Sequence, residues 1–124
     1  MARDEAYYQA EKKIEEALKS GATELDLSVK WTDEKSPQLY ELPESIGQLV
    51  QLQSLNLSNN KLLVLPESLG NLVQLHSLNL SRNKVVIWPK SLSNLVKLEN
   101  LNLHYQHQKL LFVISFLHMV MNNP

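Results

Sequence analysis

The chain has 124 residues and carries 12 basic against 13 acidic side chains, for a formal net charge of −1. This length predicts one domain and leaves no room for a catalytic domain beside a regulatory one. The near balance of charge argues against a nucleic-acid partner. Because the chain has no cysteine, disulfides, thiolate metal sites and cysteine nucleophiles are excluded, and a cytoplasmic location is expected.

Residues 1–21 are predicted to form an N-terminal capping helix. The segment from Asp4 to Ser20 has helical spacing, and Gly21 follows it as a stop signal. Four apolar side chains are expected to face inward: Ala10, Ile14, Ala17 and Leu18. The segment is charged throughout and lacks the apolar stretch that a secretory signal requires.

Three consecutive segments of 23 residues repeat one pattern. The first, LPESIGQLVQLQSLNLSNNKLLV (42–64), and the second, LPESLGNLVQLHSLNLSRNKVVI (65–87), are identical at 16 of 23 positions. The third, WPKSLSNLVKLENLNLHYQHQKL, occupies residues 88–110. Unrelated segments do not match at this level, so the chain contains an internal duplication.

Each unit combines two kinds of apolar spacing. In the first two units the leucines follow L-x-x-L-x-L-x-x-N-x-L, over residues 52–62 and 75–85. The alternation of Leu55 and Leu57 is typical of a short strand, whereas the preceding three- and four-residue spacing predicts a helical turn. One unit cannot bury its leucines alone, so consecutive units are expected to stack.

The predicted fold class is α/β: a solenoid with a short curved parallel sheet on its concave face and helical turns on its convex face. In the central coils, the leucines of the two strand columns are expected to be fully buried: Leu55, Leu57, Leu78 and Leu80. Asn60 and Asn83 are expected to bond the backbone of the turns that leave the strands. Trp88 stands in register with Leu42 and Leu65 and is predicted to lie in the core.

These segments resemble the 23-residue leucine-rich repeats of Ras-suppressor-type proteins and of plant intracellular Ras-group-related proteins. The segment IEEALKSGATELDLS (14–28) is also similar to the cap that precedes the repeats of bacterial Roco proteins, where a leucine-rich region stands before a Roc GTPase and its COR partner. The resemblance covers residues 14–103 and implies a signalling scaffold that binds other proteins. The Roco GTPase motifs are absent, so it implies no nucleotide site.

The leucine-rich repeat domain is predicted to span residues 22–110, with about four coils. An earlier, degenerate coil precedes the three repeats, with apolar residues in register with the later leucines: Ala22, Leu25 and Leu27. Leu39 then follows Leu27 after 12 residues, where the next coil needs 5 from Leu57 to Leu62. An insertion at residues 29–35 is therefore expected to bulge from the side of the solenoid.

The repeat pattern ends after Leu103, since residues 104–110 match the second unit at none of seven positions. Residues 111–124 are predicted to be an apolar C-terminal tail. The apolar run LLFVISFLHMVM (110–121) is shorter than the roughly 20 residues that a membrane-spanning helix needs, so no span is predicted. Three interpretations stay open: a truncated or frame-shifted terminus, an atypical cap, or an interface, including one for self-association.

The chain offers no predicted active site, so it is predicted not to be an enzyme. Its serines and glutamates recur at the repeat spacing, whereas catalysis needs one constellation in one pocket. His104 and His107 are three residues apart, but too few further ligands follow for a metal site. The three glycines lie too far apart for a phosphate-binding loop, so no nucleotide or other cofactor is expected.

The side chains between the strand leucines are expected to point to the concave face. The candidate protein-binding residues there are Asn56, Asn59, Asn79, Arg82, Asn102 and Tyr105. Trp31, in the predicted insertion, is expected to add an exposed contact beside this face. Arginine and aromatic residues are enriched at binding hot spots.

The predicted function is a non-catalytic interaction module that binds a protein or peptide on its concave face. One alternative is a fragment of a larger Roco-type GTPase or repeat kinase, acting as its regulatory or sensing segment. The other alternative is a truncated or frame-shifted remnant without function. Four strands about 4.8 Å apart give a face only about 15 to 20 Å wide, so weak binding is expected without dimerisation through the apolar tail.

Overall fold

The computed structural model describes residues 3–30 and 35–104 of the chain. One α-helix, α1 (Glu5–Ser20), precedes four strands of three residues each: β1 (Glu24–Asp26), β2 (Ser54–Asn56), β3 (Ser77–Asn79) and β4 (Asn100–Asn102). A short 3₁₀ helix comes before each of the last three strands, at Glu44–Gln48, Glu67–Asn71 and Lys90–Asn94. Strand and helical turn therefore alternate as the two apolar spacings predict.

The four strands form one parallel sheet in chain order, β1-β2-β3-β4. The central leucine of each strand is in register with the next: Leu25, Leu55, Leu78 and Leu101. Leu39 also holds the place that Leu62 holds one coil later, because each donates its backbone N–H to the asparagine of the following coil. The degenerate first coil predicted from the sequence is confirmed.

The core is a continuous stack of leucines between the sheet and the 3₁₀ helices. Four strand leucines are at most 1% exposed, which confirms their prediction: Leu55, Leu57, Leu78 and Leu80. In the last described coil, Leu101 and Leu103 are only partly buried. Trp88 packs against the core but keeps part of its surface exposed, so its predicted core position is confirmed only in part.

Two buried asparagines connect neighbouring coils. The Nδ2 of Asn60 donates at 3.0 Å to the carbonyls of both Leu27 and Leu57, and its Oδ1 accepts from the backbone N–H of Leu39 at 2.8 Å. Asn83 repeats this pattern one coil later. The predicted backbone role is confirmed, and it extends across coils because each amide is long enough to reach the preceding strand exit.

Helix α1 packs its apolar face against the first coils. Asp4 caps its start by accepting from the backbone N–H of Tyr7, and Gly21 ends it with a left-handed φ of 66°. Leu18 is 42% exposed, so its predicted inward orientation is wrong. Successive residues of a helix are rotated by about 100°. Ile14 and Ala17 lie on the buried side of α1, and Leu18 lies at the edge of that side. No helix in the described stretches is long and apolar enough to cross a membrane.

Consecutive 3₁₀ helices approach closely at glycine. A Cβ added to Gly70 would lie 2.5 Å from the carbonyl oxygen of Ser91, and one on Gly47 would lie 2.8 Å from that of Ser68. We therefore expect Gly70→Ala to lower the free energy of unfolding by about 1 to 3 kcal/mol, measured by urea denaturation, because the coils must separate to admit the methyl group.

Ser93 occupies the same repeat position in the last described coil and provides the control. Ser93→Ala adds no atoms and is expected to change the free energy of unfolding by less than about 0.5 kcal/mol. Equal losses in the Gly70 and Ser93 variants would contradict the close approach of the coils.

Candidate protein-binding surface

A polar face runs across all four strands, opposite the side that packs on the core. Because side chains alternate along a strand, the residues on either side of each central leucine point away from the core. They form two columns, one of Glu24, Ser54, Ser77 and Asn100 and one of Asp26, Asn56, Asn79 and Asn102. We call these two columns the polar sheet face; it is the face that the sequence predicts to be concave.

Three of the candidate residues, Asn56, Asn79 and Asn102, lie in the second of these columns. The Oδ1 of each accepts a hydrogen bond, at 3.0 to 3.1 Å, from the backbone N–H two residues later: Ser58, Ser81 and His104. Asp26 does the same with Ser28 at 2.8 Å. Each of these side chains therefore shapes its own strand exit as well as facing outward, which the sequence analysis missed. The recurring spacing of Asn or Asp two residues before Ser is the signal that could have revealed it.

Asn59 and Arg82 follow the strands in an adjacent column, and both have left-handed backbones, with φ of 57° and 55°. The side chain of Asn59 donates to the carbonyl of Val29 at 2.7 Å, so it holds the preceding coil. Arg82 is exposed. A left-handed conformation costs about 1 to 2 kcal/mol for most residues but suits asparagine better, so Arg82 keeps an exposed cation here at a cost in stability.

The remaining two candidates, Trp31 and Tyr105, lie outside the described residues, as does most of the predicted insertion. Val29, at the start of that insertion, keeps the regular pattern, since its N–H donates to the carbonyl of Ser58 just as that of Asn59 donates to Ser81. Within residues 3–30 and 35–104, no three His, Asp or Glu side chains are grouped to hold a metal.

Charge varies along the polar sheet face although its shape repeats. Glu24 and Asp26 make the β1 end acidic, while the same positions in the next two strands carry serine and asparagine. Neutral amides and hydroxyls both donate and accept hydrogen bonds. The middle of the face can therefore bond the backbone of an extended peptide, and its β1 end favours a positive charge.

A second exposed surface was not foreseen from the sequence. Five large apolar side chains lie where the chain runs from the strand exits toward the 3₁₀ helices; we call this set the lateral strip: Tyr40, Leu63, Val64, Val86 and Ile87. The signal for it in the sequence is a pair of consecutive apolar residues between two leucines that fill the core. Leu63-Val64, for example, lies between the buried Leu62 and Leu65.

Comparison with known proteins identifies the repeat. A family model described as a leucine-rich repeat region matches residues 27–120. Among solved structures, a leucine-rich repeat protein of Leptospira interrogans is 40% identical with a TM-score of 0.55, over 56% of this chain and 18% of that chain. This chain thus spans about a fifth of the length of the Leptospira protein. No curated protein matches it.

Proposed function

This chain belongs to the leucine-rich repeat proteins, and from that premise we propose that it is a non-catalytic interaction module that binds a protein or peptide across its polar sheet face. Domains of this family typically present a repeated sheet surface to protein partners. We place the module in the cytoplasm, where a chain without cysteine loses nothing to the reducing conditions.

The observation that carries this proposal is the pair of polar columns that continues across four strands. Asn56, Asn79 and Asn102 stack in one column with partly or fully exposed side chains. Each uses Oδ1 for its own turn, and an amide also carries an Nδ2 donor. A row of amide donors can bond carbonyls of a peptide segment laid across the strands.

Arg82 lies beside this row and supplies a cation for the same ligand. In the proposal Tyr105 extends the column of Arg82 by one coil, and Trp31 adds a contact from the side loop. The three spacings between four strands measure only about 15 Å. A single copy is therefore expected to bind in the micromolar range or more weakly.

A selected peptide tests the proposal. We would select a random peptide library without Lys, Arg, Asp or Glu on the immobilised protein and measure the dissociation constant of an enriched peptide by fluorescence anisotropy. Asn56→Asp with Asn79→Asp keeps both turns, because Asp26 makes the same bond to Ser28. The carboxylates cannot donate, so the double variant is expected to bind at least tenfold more weakly.

The control makes the same chemical change on the other side of the solenoid. Asn71 and Asn94 are exposed residues at the ends of two 3₁₀ helices. Asn71→Asp with Asn94→Asp is expected to leave the dissociation constant unchanged, and circular dichroism melts should match for all variants. An enriched peptide that binds the Asn56/Asn79 variant as tightly as the wild type would contradict the proposal.

Three further predictions stay open. A role as the sensing segment of a Roco-type GTPase or repeat kinase predicts a Roc or kinase coding region downstream in the same gene. A remnant without function predicts a protein that fails to unfold cooperatively. Self-association through the apolar tail falls on residues outside the described ranges, and light scattering over a range of protein concentrations measures it.

A further inference from the structure

The lateral strip is a continuous apolar surface rather than a scatter of single residues. Its five side chains are 40% to 59% exposed. Parallel bridges join Glu41 to Val64 and Val64 to Ile87, and they hold three coils in register at this place. Because the register is the repeat period, the second and third coils each add an apolar pair beside the coil before, and the first coil contributes Tyr40. Continuous exposed patches of this kind mark binding surfaces.

A cavity of about 320 Å³ opens in the strip between its first two coils. Apolar side chains and two glutamates line it: Tyr40, Leu42, Leu63, Val64, Pro66, Glu41 and Glu44. Arg3 pairs with Glu41 at 3.7 Å, so Glu44 is the carboxylate of this lining with no ion pair in the described residues. Pockets that combine an apolar floor with a few charged groups bind one or two side chains of a ligand with a preferred orientation.

A second cavity, of about 370 Å³, lies toward the strand exits and is basic. Lys61, Arg82 and Lys84 contribute three cations from neighbouring coils, and among the described residues that line it there is no carboxylate. Lys61 connects the two cavities, since its Nζ lies 3.4 Å from the hydroxyl of Tyr40 and 5.5 Å from the centre of the Tyr40 ring. The basic and apolar cavities therefore adjoin at Lys61 and Tyr40, and we call the two together the exit groove.

We propose that the exit groove binds a short peptide in which acidic side chains stand next to an apolar one. The carboxylates would accept charge-assisted hydrogen bonds from Lys61 and Lys84, which are stronger than bonds between neutral groups. The apolar side chain would enter the cavity between Tyr40 and Leu63. Glu44 lines the apolar cavity but not the basic one and repels carboxylates there, so the groove favours the order acidic, apolar, then neutral or basic. The exit groove shares Arg82 with the surface proposed above, but the contacts that define its ligand are made by Lys61, Lys84 and the lateral strip.

Two synthetic peptides with a fluorescent label test the exit groove by anisotropy. One has the sequence Asp-Glu-Asp-Gly-Leu-Phe-Gly, and the other replaces its three acidic residues by Lys-Arg-Lys. The wild-type protein is expected to bind the acidic peptide at least tenfold more tightly than the basic one. Raising the salt from about 0.05 M to about 0.5 M should weaken that binding, because exposed charges are screened.

Two double variants separate the charged part of the groove from its apolar part. Lys61→Glu with Lys84→Glu is expected to weaken binding of the acidic peptide at least tenfold. Leu63→Ser with Val64→Ser removes apolar side chains that are 40% and 45% exposed, and it is expected to weaken binding of the acidic peptide about as much. Lys12→Glu with Lys13→Glu, on the exposed face of α1, makes the same change in net charge and should have no effect.

Three outcomes would overturn the proposal. The first is the absence of binding to the wild type. The second is an equal loss in both lysine variants, because net charge alone would then explain it. The third is a dimer, detected by light scattering, that Leu63→Ser with Val64→Ser dissolves, because the strip would then belong to a second copy. Asn56→Asp with Asn79→Asp should not affect the acidic peptide, so failure here is distinguishable from failure at the polar sheet face.

Discussion

Replacing Leu78 by alanine is expected to lower the free energy of unfolding by about 2 to 5 kcal/mol. Leu78 is the central residue of β3, is 1% exposed, and lies in register between Leu55 and Leu101. Parallel strands pair with β3 on both sides, so the backbone cannot move in to fill the space that the lost methyl groups leave. The measurement is urea-induced unfolding followed by circular dichroism.

A valine in the same coil provides the control for this prediction. Val73 is 42% exposed, and Val73→Ala is expected to cost less than about 0.5 kcal/mol. A loss below about 1 kcal/mol for Leu78→Ala would mean that the strand columns do not form the core.

The second large effect is expected at Asn83, which is 1% exposed. Its Nδ2 donates to the carbonyls of Leu57 and Leu80 at 2.9 and 3.1 Å, and its Oδ1 accepts from the N–H of Leu62 at 3.1 Å. Asn83→Ala removes the amide, so these buried backbone groups lose the hydrogen bonds that it makes with them. We expect the free energy of unfolding to fall by about 3 kcal/mol or more, because each unsatisfied buried group costs about 1 to 3 kcal/mol.

Two further substitutions show whether the hydrogen bonds are responsible. Asn94→Ala changes an exposed asparagine and is expected to have an effect below about 0.5 kcal/mol. Asn83→Asp keeps the acceptor for Leu62 but turns a carboxylate toward two carbonyl oxygens, so it should destabilise the protein at least as much as alanine does. An aspartate variant as stable as the wild type would contradict the bonds assigned to Nδ2.

Both substitutions also bear on the proposed binding surface. Leu78 packs into the core between Ser77 and Asn79, which lie on the polar sheet face. Asn83 donates to the carbonyl of Leu57 and so connects the coil of Arg82 to the coil before it. A variant that loses this support should bind a selected peptide more weakly in proportion to the loss of folded protein. Binding measurements are therefore compared at temperatures where both variants remain folded.

The repeat period by itself was enough to determine the register of the solenoid. Residues 23 apart occupy equivalent places in successive coils, and alternation along a strand decides which of them point inward. The burial of Leu55 and Leu78 and the bonding of Asn60 could therefore be predicted. The same reasoning placed Asn56 and Asn79 on one face.

Only the tertiary structure decided which atoms of those residues are already engaged and which apolar residues stay exposed. The turn that Asn79 makes to Ser81 depends on the geometry of the strand exit. Leu63 and Val64 are as apolar as the leucines beside them. They face outward because Leu62 and Leu65 already fill the core of that coil.

Leu18 and Arg82 show the same division. Helical spacing alone does not decide whether Leu18 lies just inside or just outside the buried face of α1. The packing of α1 on the first coil leaves it exposed. Asn59 is locally suited to a left-handed turn, whereas Arg82 adopts it because hydrogen bonds to the neighbouring coil impose that path on the backbone. A periodic sequence determines where equivalent residues stack, because stacking repeats a single geometry. Contacts between coils determine exposure and hydrogen bonding, because those depend on residues far apart in the chain.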